Sequence, residues 1–186
     1  IILNIFNTTG LRRQAIDSIL HHIPDTHLLF LVETWLLSRN RYYTSWKQYH
    51  ICGNRPTPTA TRGLILLGIS LLINPTCPYQ VHILPNTASP YPDYHLSCIV
   101  ANTLIHCVYL PPAPSMSNDT ALAILDSLPL HYPNTDNTII CGDFNARFST
   151  ITGDTASNAR GTQMQHWLQD HHLKLWNAEL AHGKPT

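Results

Sequence analysis

At 186 residues the chain is long enough for one domain with a real core and does not require two. Charged residues make up only 12%, against a usual share of about 25%, and 11 Lys plus Arg balance 11 Asp plus Glu. No overall field therefore draws the protein to nucleic acid or to an anionic membrane, and any such attraction has to come from a local basic patch.

In chain order, Ile1 to Phe6 is an apolar, β-branched run that reads as a first strand ending near Asn7, with Gly10 marking the turn. No basic segment followed by an apolar run opens the chain, so it carries no signal peptide pattern. Leu11, Ala15, Ile16, Ile19 and Leu20 recur at helical spacing up to His22, with Pro24 just beyond. Leu28 to Val32 (LLFLV) is a continuous apolar run, the pattern of a strand covered on both faces, and Glu33 stands at its end. Trp35 to Tyr49 has no clean periodicity, and Pro56 to Thr59 reads as an exposed loop.

Leu64 to Ile73 reads as a buried strand or strand pair; it is far short of the roughly 20 residues that span a bilayer, so no membrane partner is expected. Tyr94 to Val100 and Leu104 to Leu110 form a hairpin around Ala101-Asn102-Thr103, and Pro111-Pro112 ends the second strand. Ala121 to Leu128 reads as a short helix capped by Asn118 or Asp119. Thr138 to Cys141 is a further buried strand that Gly142 ends. Thr162 to His171 is helical, and Leu173 to Trp176 begins a strand. Leu28 to Val32, Leu64 to Leu67 and Ile139 to Cys141 are expected to be nearly inaccessible.

Five cysteines, odd in number and without a CxxC pair, argue against a zinc ribbon or a secreted disulfide framework and point to an intracellular compartment. Hairpin strands mixed with crossover strands and helices indicate an α/β sandwich of mixed sheets, taken as one domain over residues 1–186. The chain begins with Ile1 rather than Met and ends at Gly183-Lys184-Pro185-Thr186 without a closing element, as a fragment would.

Polar groups stand where strands give way to loops: Asn7, Glu33, and the pair Asp143 and Asn145. Rigid sheets position such groups and loops leave room for a ligand. Carboxylates with an amide oxygen suit a hard cation such as Mg²⁺, with Mn²⁺ as its substitute, whereas the scattered histidines offer no HExxH-like zinc spacing. Each has a bland reading. Asp143 and Asn145 suit simple turn chemistry, Glu33 suits plain solvation, and Tyr109 suits core packing with a bonded hydroxyl.

Taken together and in order, Asn-x-x-Gly-Leu (Asn7 to Leu11), Glu-Thr-Trp-Leu (Glu33 to Leu36), Val-Tyr-Leu-Pro-Pro (Val108 to Pro112) and Gly-Asp-Phe-Asn-Ala-Arg (Gly142 to Arg147) resemble the endonuclease/exonuclease/phosphatase superfamily. Asn158-Ala159-Arg160-Gly161, Trp167-Leu168 and the terminal Gly-Lys-Pro-Thr are similar to the apurinic-type endonuclease domain of non-LTR retrotransposons. The resemblance implies a DNase I-like, four-layer α/β sandwich of two mixed sheets flanked by helices, with its last strands missing here. It implies Mg²⁺-dependent phosphodiester hydrolysis, most simply DNA nicking, with a reverse-transcriptase domain downstream and a nuclear location in an active element.

On that resemblance, Glu33 is the main metal carboxylate and Asn7 belongs to the metal and water shell. Asp143 orients or deprotonates the attacking water, Asn145 and Tyr109 bind the scissile phosphate, and Arg147 joins them on the substrate. Thr9 stands where many repair relatives have a carboxylate. The family's closing Asp and Ser-Asp-His groups do not occur before Thr186, so the chain as it stands is expected to be nearly inactive.

Two other functions stay open: a phosphatase or lipid phosphodiesterase of the same superfamily, and a catalytically dead remnant of a mobile element. Arg39, Arg41, Lys47, Arg55 and Arg62 are the densest cationic group, suited either to a DNA groove or to plain solvation.

Overall fold

The computed structural model describes residues 1–37, 40–53, 67–151 and 153–180. Contacts gather in two compact units: Ile1–Tyr109 with Ser127–Asp143, and Leu110–Asp126 with the chain from Phe144 onward.

The first unit holds both sheets. One has the order β1-β2-β4-β3, from β1 (Leu3–Asn7), β2 (Leu28–Val32), β3 (Lys47–Ile51) and β4 (Ile69–Ile73). The other has the order β5-β6-β7-β8, from β5 (Val81–Leu84), β6 (His95–Val100), β7 (Thr103–Tyr109) and β8 (Asn137–Asp143). Each sheet is mixed, with β1 parallel to β2 and β7 parallel to β8 and the remaining pairs antiparallel.

The sheets pack face to face. Leu28, Phe30 and Val32 of β2 with Ile69, Leu71 and Ile73 of β4 meet Cys98, Val100, Ile105, Cys107 and Tyr109 of the second sheet. The alternate residues Leu29, Leu31 and Leu72 face outward against Ile16, Leu36 and Tyr42, with Ile19 and Leu20 packed alongside. α1 (Ile16–His22), which follows a 3-10 turn at Arg13–Ala15, thus covers the outer face. Burial on both faces is why β2 can be apolar at every position. The expected α/β architecture of two mixed sheets with helices is present.

Several expectations need correction. Ile139 to Cys141 is not inaccessible: Ile139 is 43% exposed, because β8 is the last strand of its sheet and has only β7 beside it. Gly142 does not end that strand, which runs through Asp143. β3 and β5 went unread, and Trp176–Leu180 is a short helix, α4, where a strand was expected. The loop expected at residues 56–59 and the part of the buried run at residues 64–66 lie outside the described residues.

In the second unit α2 (Asn118–Asp126) and α3 (Ala159–Asp170) pack on each other. Ser117, not Asn118 or Asp119, caps α2, its hydroxyl accepting from the Thr120 N–H at 3.1 Å. Trp167 donates from Nε1 to Asp126 Oδ1 at 2.6 Å, tying α3 to α2. Among the described residues no helix is long and apolar enough to cross a membrane, and all five cysteines are thiols.

Candidate active site

Parallel pairing brings strand ends level. Asn7 lies opposite Val32, so Asn7 and Glu33 leave the first sheet at the same end. Tyr109 lies opposite Asp143 in the second sheet. Two side-chain bonds then join the sheets: Asn7 Nδ2 donates to Asp143 Oδ2 at 2.7 Å, and the Tyr109 hydroxyl donates to Glu33 Oε1.

The orientation of Asn7 follows from its neighbours. The Thr9 N–H and hydroxyl both meet Asn7 Oδ1, at 3.1 and 3.2 Å. A backbone N–H can only donate, so the oxygen must face Thr9 and the NH₂ must face Asp143. Thr9 therefore orients Asn7.

Glu33 and Trp35 take left-handed conformations, at φ 54° and 51°. For bulky side chains that costs on the order of 1–3 kcal/mol each and persists only where the surroundings over-determine it. The surroundings do so. Gly10 N–H and the Thr8 hydroxyl donate to the Glu33 carbonyl at 2.8 and 3.2 Å. Thr34 N–H and Trp35 N–H donate to Gly68 and Leu67 at 3.1 and 3.3 Å. Asp143 is fixed from its own strand: Gly142, at φ 133°, lies so close to β7 that an added Cβ would stand 1.9 Å from the Val108 carbonyl oxygen.

Tyr109 is 3% exposed. Burial first, then the bond to Glu33 and the negative charge of Glu33 and Asp143, raise its pKa well above the ordinary tyrosine value. It stays a protonated donor at every physiological pH, and its single proton goes to Glu33.

Asn145 and Arg147 belong to the second unit. Asn145, at φ 48°, donates from Nδ2 to the Leu110 carbonyl at 3.0 Å, and its own carbonyl accepts from Asn158 Nδ2 at 2.9 Å. Asn158 also caps α3, its Oδ1 accepting from Gly161 N–H at 2.7 Å and from Arg147 N–H at 3.0 Å. Arg147 is exposed. Of the cationic group, Arg39, Arg55 and Arg62 lie outside the described residues. Lys47 starts β3 opposite Ile73, whose other neighbour is Leu28, and so stands at the far end of the sheet from Glu33.

Residues 103–186 match the family described as Endonuclease-reverse transcriptase, while no curated protein matches the chain. The solved endonuclease domain of TRAS1, a telomere-specific non-LTR retrotransposon, superposes with a TM-score of 0.56 at 12% identity, over 89% of this chain and 68% of that one. A 3'-5' exonuclease (NExo) from Neisseria meningitidis superposes at 0.62 and 14% identity, over 90% of this chain and 70% of that one. An AP endonuclease from Archaeoglobus fulgidus does so at 0.54 and 14%, over 95% and 65%. The chain carries a DNase I-like α/β fold. It spans about two thirds of the length of these solved structures.

In this DNase I-like chain the sequence had marked the strand-end residues but not what frames them. Thr9 and Asn158 were missed as orienting groups, although Asn158 three residues ahead of Gly161 is a readable helix cap. Arg160 was missed as well. It is 4% exposed, and its Nη1 donates to the carbonyls of Leu110, Pro111 and Phe144 at 3.2, 2.7 and 3.2 Å. Its Nη2 donates to the Met116 carbonyl at 2.9 Å.

Related nucleases of this fold typically use divalent metals. Among the described residues no three His, Cys, Asp or Glu side chains close into a ligand cluster. Glu33 and Asp143 offer two carboxylates beside an amide oxygen already engaged by Thr9. That all-oxygen set fits Mg²⁺ or Mn²⁺, which binds through one or two carboxylates and fills its remaining positions with water and phosphate oxygens.

Proposed function

We propose that the chain is the endonuclease module of a non-LTR retrotransposon, hydrolysing phosphodiester bonds of DNA with a divalent cation. The observation that carries this reading is the pairing of Glu33 with Tyr109 and of Asp143 with Asn7 at the strand ends of the two sheets.

Glu33 and Asp143 would hold the cation, which when bound neutralises charge on the phosphate and polarises its P–O bonds. Asp143, kept in one orientation by the Asn7 amide, accepts the proton of the attacking water. Tyr109 holds Glu33 rather than the phosphate, since its one proton is already donated there. The non-bridging oxygens need donors of their own, because fixed hydrogen bonds act there on developing charge. The role in a retrotransposon, with a reverse-transcriptase domain as partner and the nucleus as the place of action, draws support from the family match and the TRAS1 likeness.

The test is nicking of supercoiled plasmid by the chain in Mg²⁺, in EDTA, and as Glu33→Gln and Asp143→Asn, with inositol phosphate release measured alongside. We expect nicking, weak in the chain as it stands, that vanishes in EDTA, returns with Mg²⁺ or Mn²⁺, and falls to background in Asp143→Asn. Nicking indifferent to both substitutions, or phosphate release in place of nicking, overturns the proposal.

A further inference from the structure

Two of the chain's eight arginines, Arg12 and Arg13, follow closely on Gly10, and Arg41 stands two residues before Tyr43, whose exposed ring the Arg13 guanidinium covers. The connections are all within the first unit. The segment after β1 runs from Gly10, whose N–H donates to the Glu33 carbonyl, into Arg12 and Arg13. Tyr43 N–H donates to the Arg13 carbonyl at 3.4 Å, and the Arg13 guanidinium lies over the Tyr43 ring, 5.1 Å from its centroid. Trp35, two residues from Glu33, lies against Gly10 so closely that a Cβ there would fall 2.0 Å from its ring.

Trp35 is 36% exposed and Tyr43 53% exposed. Ordinary folding does not account for this. The third of Trp35 left in water forgoes part of the burial that makes Trp stabilising, and the residue takes a left-handed backbone that itself costs free energy. The chain as a whole is neutral, so Arg13 over Tyr43, with Arg12 and Arg41 close to them in the chain, makes a local cationic field rather than part of a general one. Guanidinium groups interleaved with open aromatic rings are what an unpaired nucleic-acid strand uses, since every base has a face to stack and every phosphate takes a cation. A duplex offers its bases to no such ring without being opened.

We propose that Trp35, Tyr43 and the arginines Arg12, Arg13 and Arg41 bind an unpaired stretch of nucleic acid beside Glu33, the rings stacking on bases and the guanidinium groups on phosphates. This rests on the DNA-cleavage reading and names the substrate form that the site takes: a strand opened or frayed next to the bond to be cut.

The experiment is fluorescence anisotropy of a labelled oligothymidylate and of a duplex of equal length, in EDTA so that no cleavage is needed. The proteins are the wild-type chain and its Trp35→Leu, Trp35→Phe, Tyr43→Leu and Arg13→Gln variants, each checked for its thermal midpoint. Trp35→Leu and Tyr43→Leu should weaken single-strand binding about five- to hundredfold, Trp35→Phe should restore most of it, and duplex binding should change less. Arg13→Gln should lower the slope of log affinity against log salt by about 0.7. Single-strand affinity unchanged in Trp35→Leu, a loss that Phe does not repair, or a larger loss on the duplex overturns the proposal. Nicking that survives Trp35→Leu together with unchanged binding would sink this inference and leave the nuclease standing. Strand binding through Trp35 without any nicking would do the reverse.

Discussion

Glu33 owes its direction to the backbone more than to its own rotamer, because a left-handed φ and the carbonyl bonds from Gly10 and Thr8 fix where its Cβ points. The Tyr109 hydroxyl then fixes the carboxylate. The two roles of Tyr109 can be separated by removing one atom. In Tyr109→Phe the ring keeps its place in the core, and the lost hydrogen bond should cost about 1 kcal/mol, a few degrees in thermal midpoint. Nicking should fall more steeply, about tenfold or beyond, as Glu33 loses the donor that orients it. A plasmid assay with equal initial rates for Tyr109→Phe and wild type would mean that Glu33 is held without Tyr109. At this scale the sequence was informative where a polar residue closed an apolar run, as at Asn7, Glu33 and Asp143. It was silent on Thr9, because an Asx-type bond from residue i+2 is made by many threonines that do nothing else. For Tyr109 it did not show which side chain the hydroxyl meets, since Glu33 comes beside it only in the fold.

Elements were legible in proportion to how completely they are buried. β2 sits between a sheet neighbour on each side and apolar layers on both faces, so LLFLV carries its whole environment in its composition. β3 (KQYHI) and β5 (VHIL) are outer strands of their sheets with mostly half-exposed residues, and their mixed composition resembles loop. β8 was read as fully buried because TIIC is apolar, yet an edge strand leaves Ile139 in water. In the second unit the turns around Asn145 are held by a side chain rather than by sheet bonds. Arg160 donates to four backbone carbonyls, from Leu110, Pro111, Met116 and Phe144. Arg160→Met keeps the aliphatic volume but leaves the Pro111, Met116 and Phe144 carbonyls without this donor, while Leu110 keeps the one from Asn145, and should cost on the order of 3 kcal/mol. Chemical denaturation would register this as a lower midpoint. A midpoint within error of wild type would show that water replaces the guanidinium at no cost.

Across the whole molecule the unusual resource is histidine, with 12 in 186 residues. Two of them form a buried chain in the first unit whose proton positions can be deduced. His106 Nε2 faces the Pro129 carbonyl at 2.8 Å, which can only accept, so Nε2 carries the proton and Nδ1 is bare. Ser97 must then donate to that Nδ1, at 2.7 Å, which leaves the Ser97 oxygen to accept from His95 Nδ1–H at 3.1 Å. His95 Nε2 in turn accepts from the Ser89 hydroxyl at 2.9 Å. With both imidazoles neutral every group is satisfied; a further proton on either ring has to be met by turning a serine hydroxyl from donor to acceptor, and the charge it brings is buried. Burial lowers the His95 pKa to about 4, helped by His106, and lowers that of His106 as well. His50, bonded to Ser70 at 2.7 Å, is also lowered to about 4, by burial and then by Arg41.

A histidine whose pKa falls on folding binds its proton more readily in the unfolded chain. Stability is therefore fully present above the unfolded value near 6.5 and drains away as pH falls from there toward 4, where the folded protein also takes up the protons. His95 and His50 each contribute on the order of 1–3 kcal/mol to this loss and His106 acts in the same direction, against a total stability of about 5–15 kcal/mol for a domain. The chain should hold its stability from pH 8 to 7, lose it steeply between pH 6 and 4.5, and unfold in mild acid well before its carboxylates are protonated. Urea unfolding followed by circular dichroism across that range measures the slope. The double variant His95→Gln/His106→Gln should be less stable at pH 7 but flatter in acid, because Gln can bridge the same neighbours without titrating. Stability that stays level from pH 7 to 4.5 in the wild-type chain would mean that the two rings are solvated and that the bonded chain from Ser89 to Pro129 does not persist in solution.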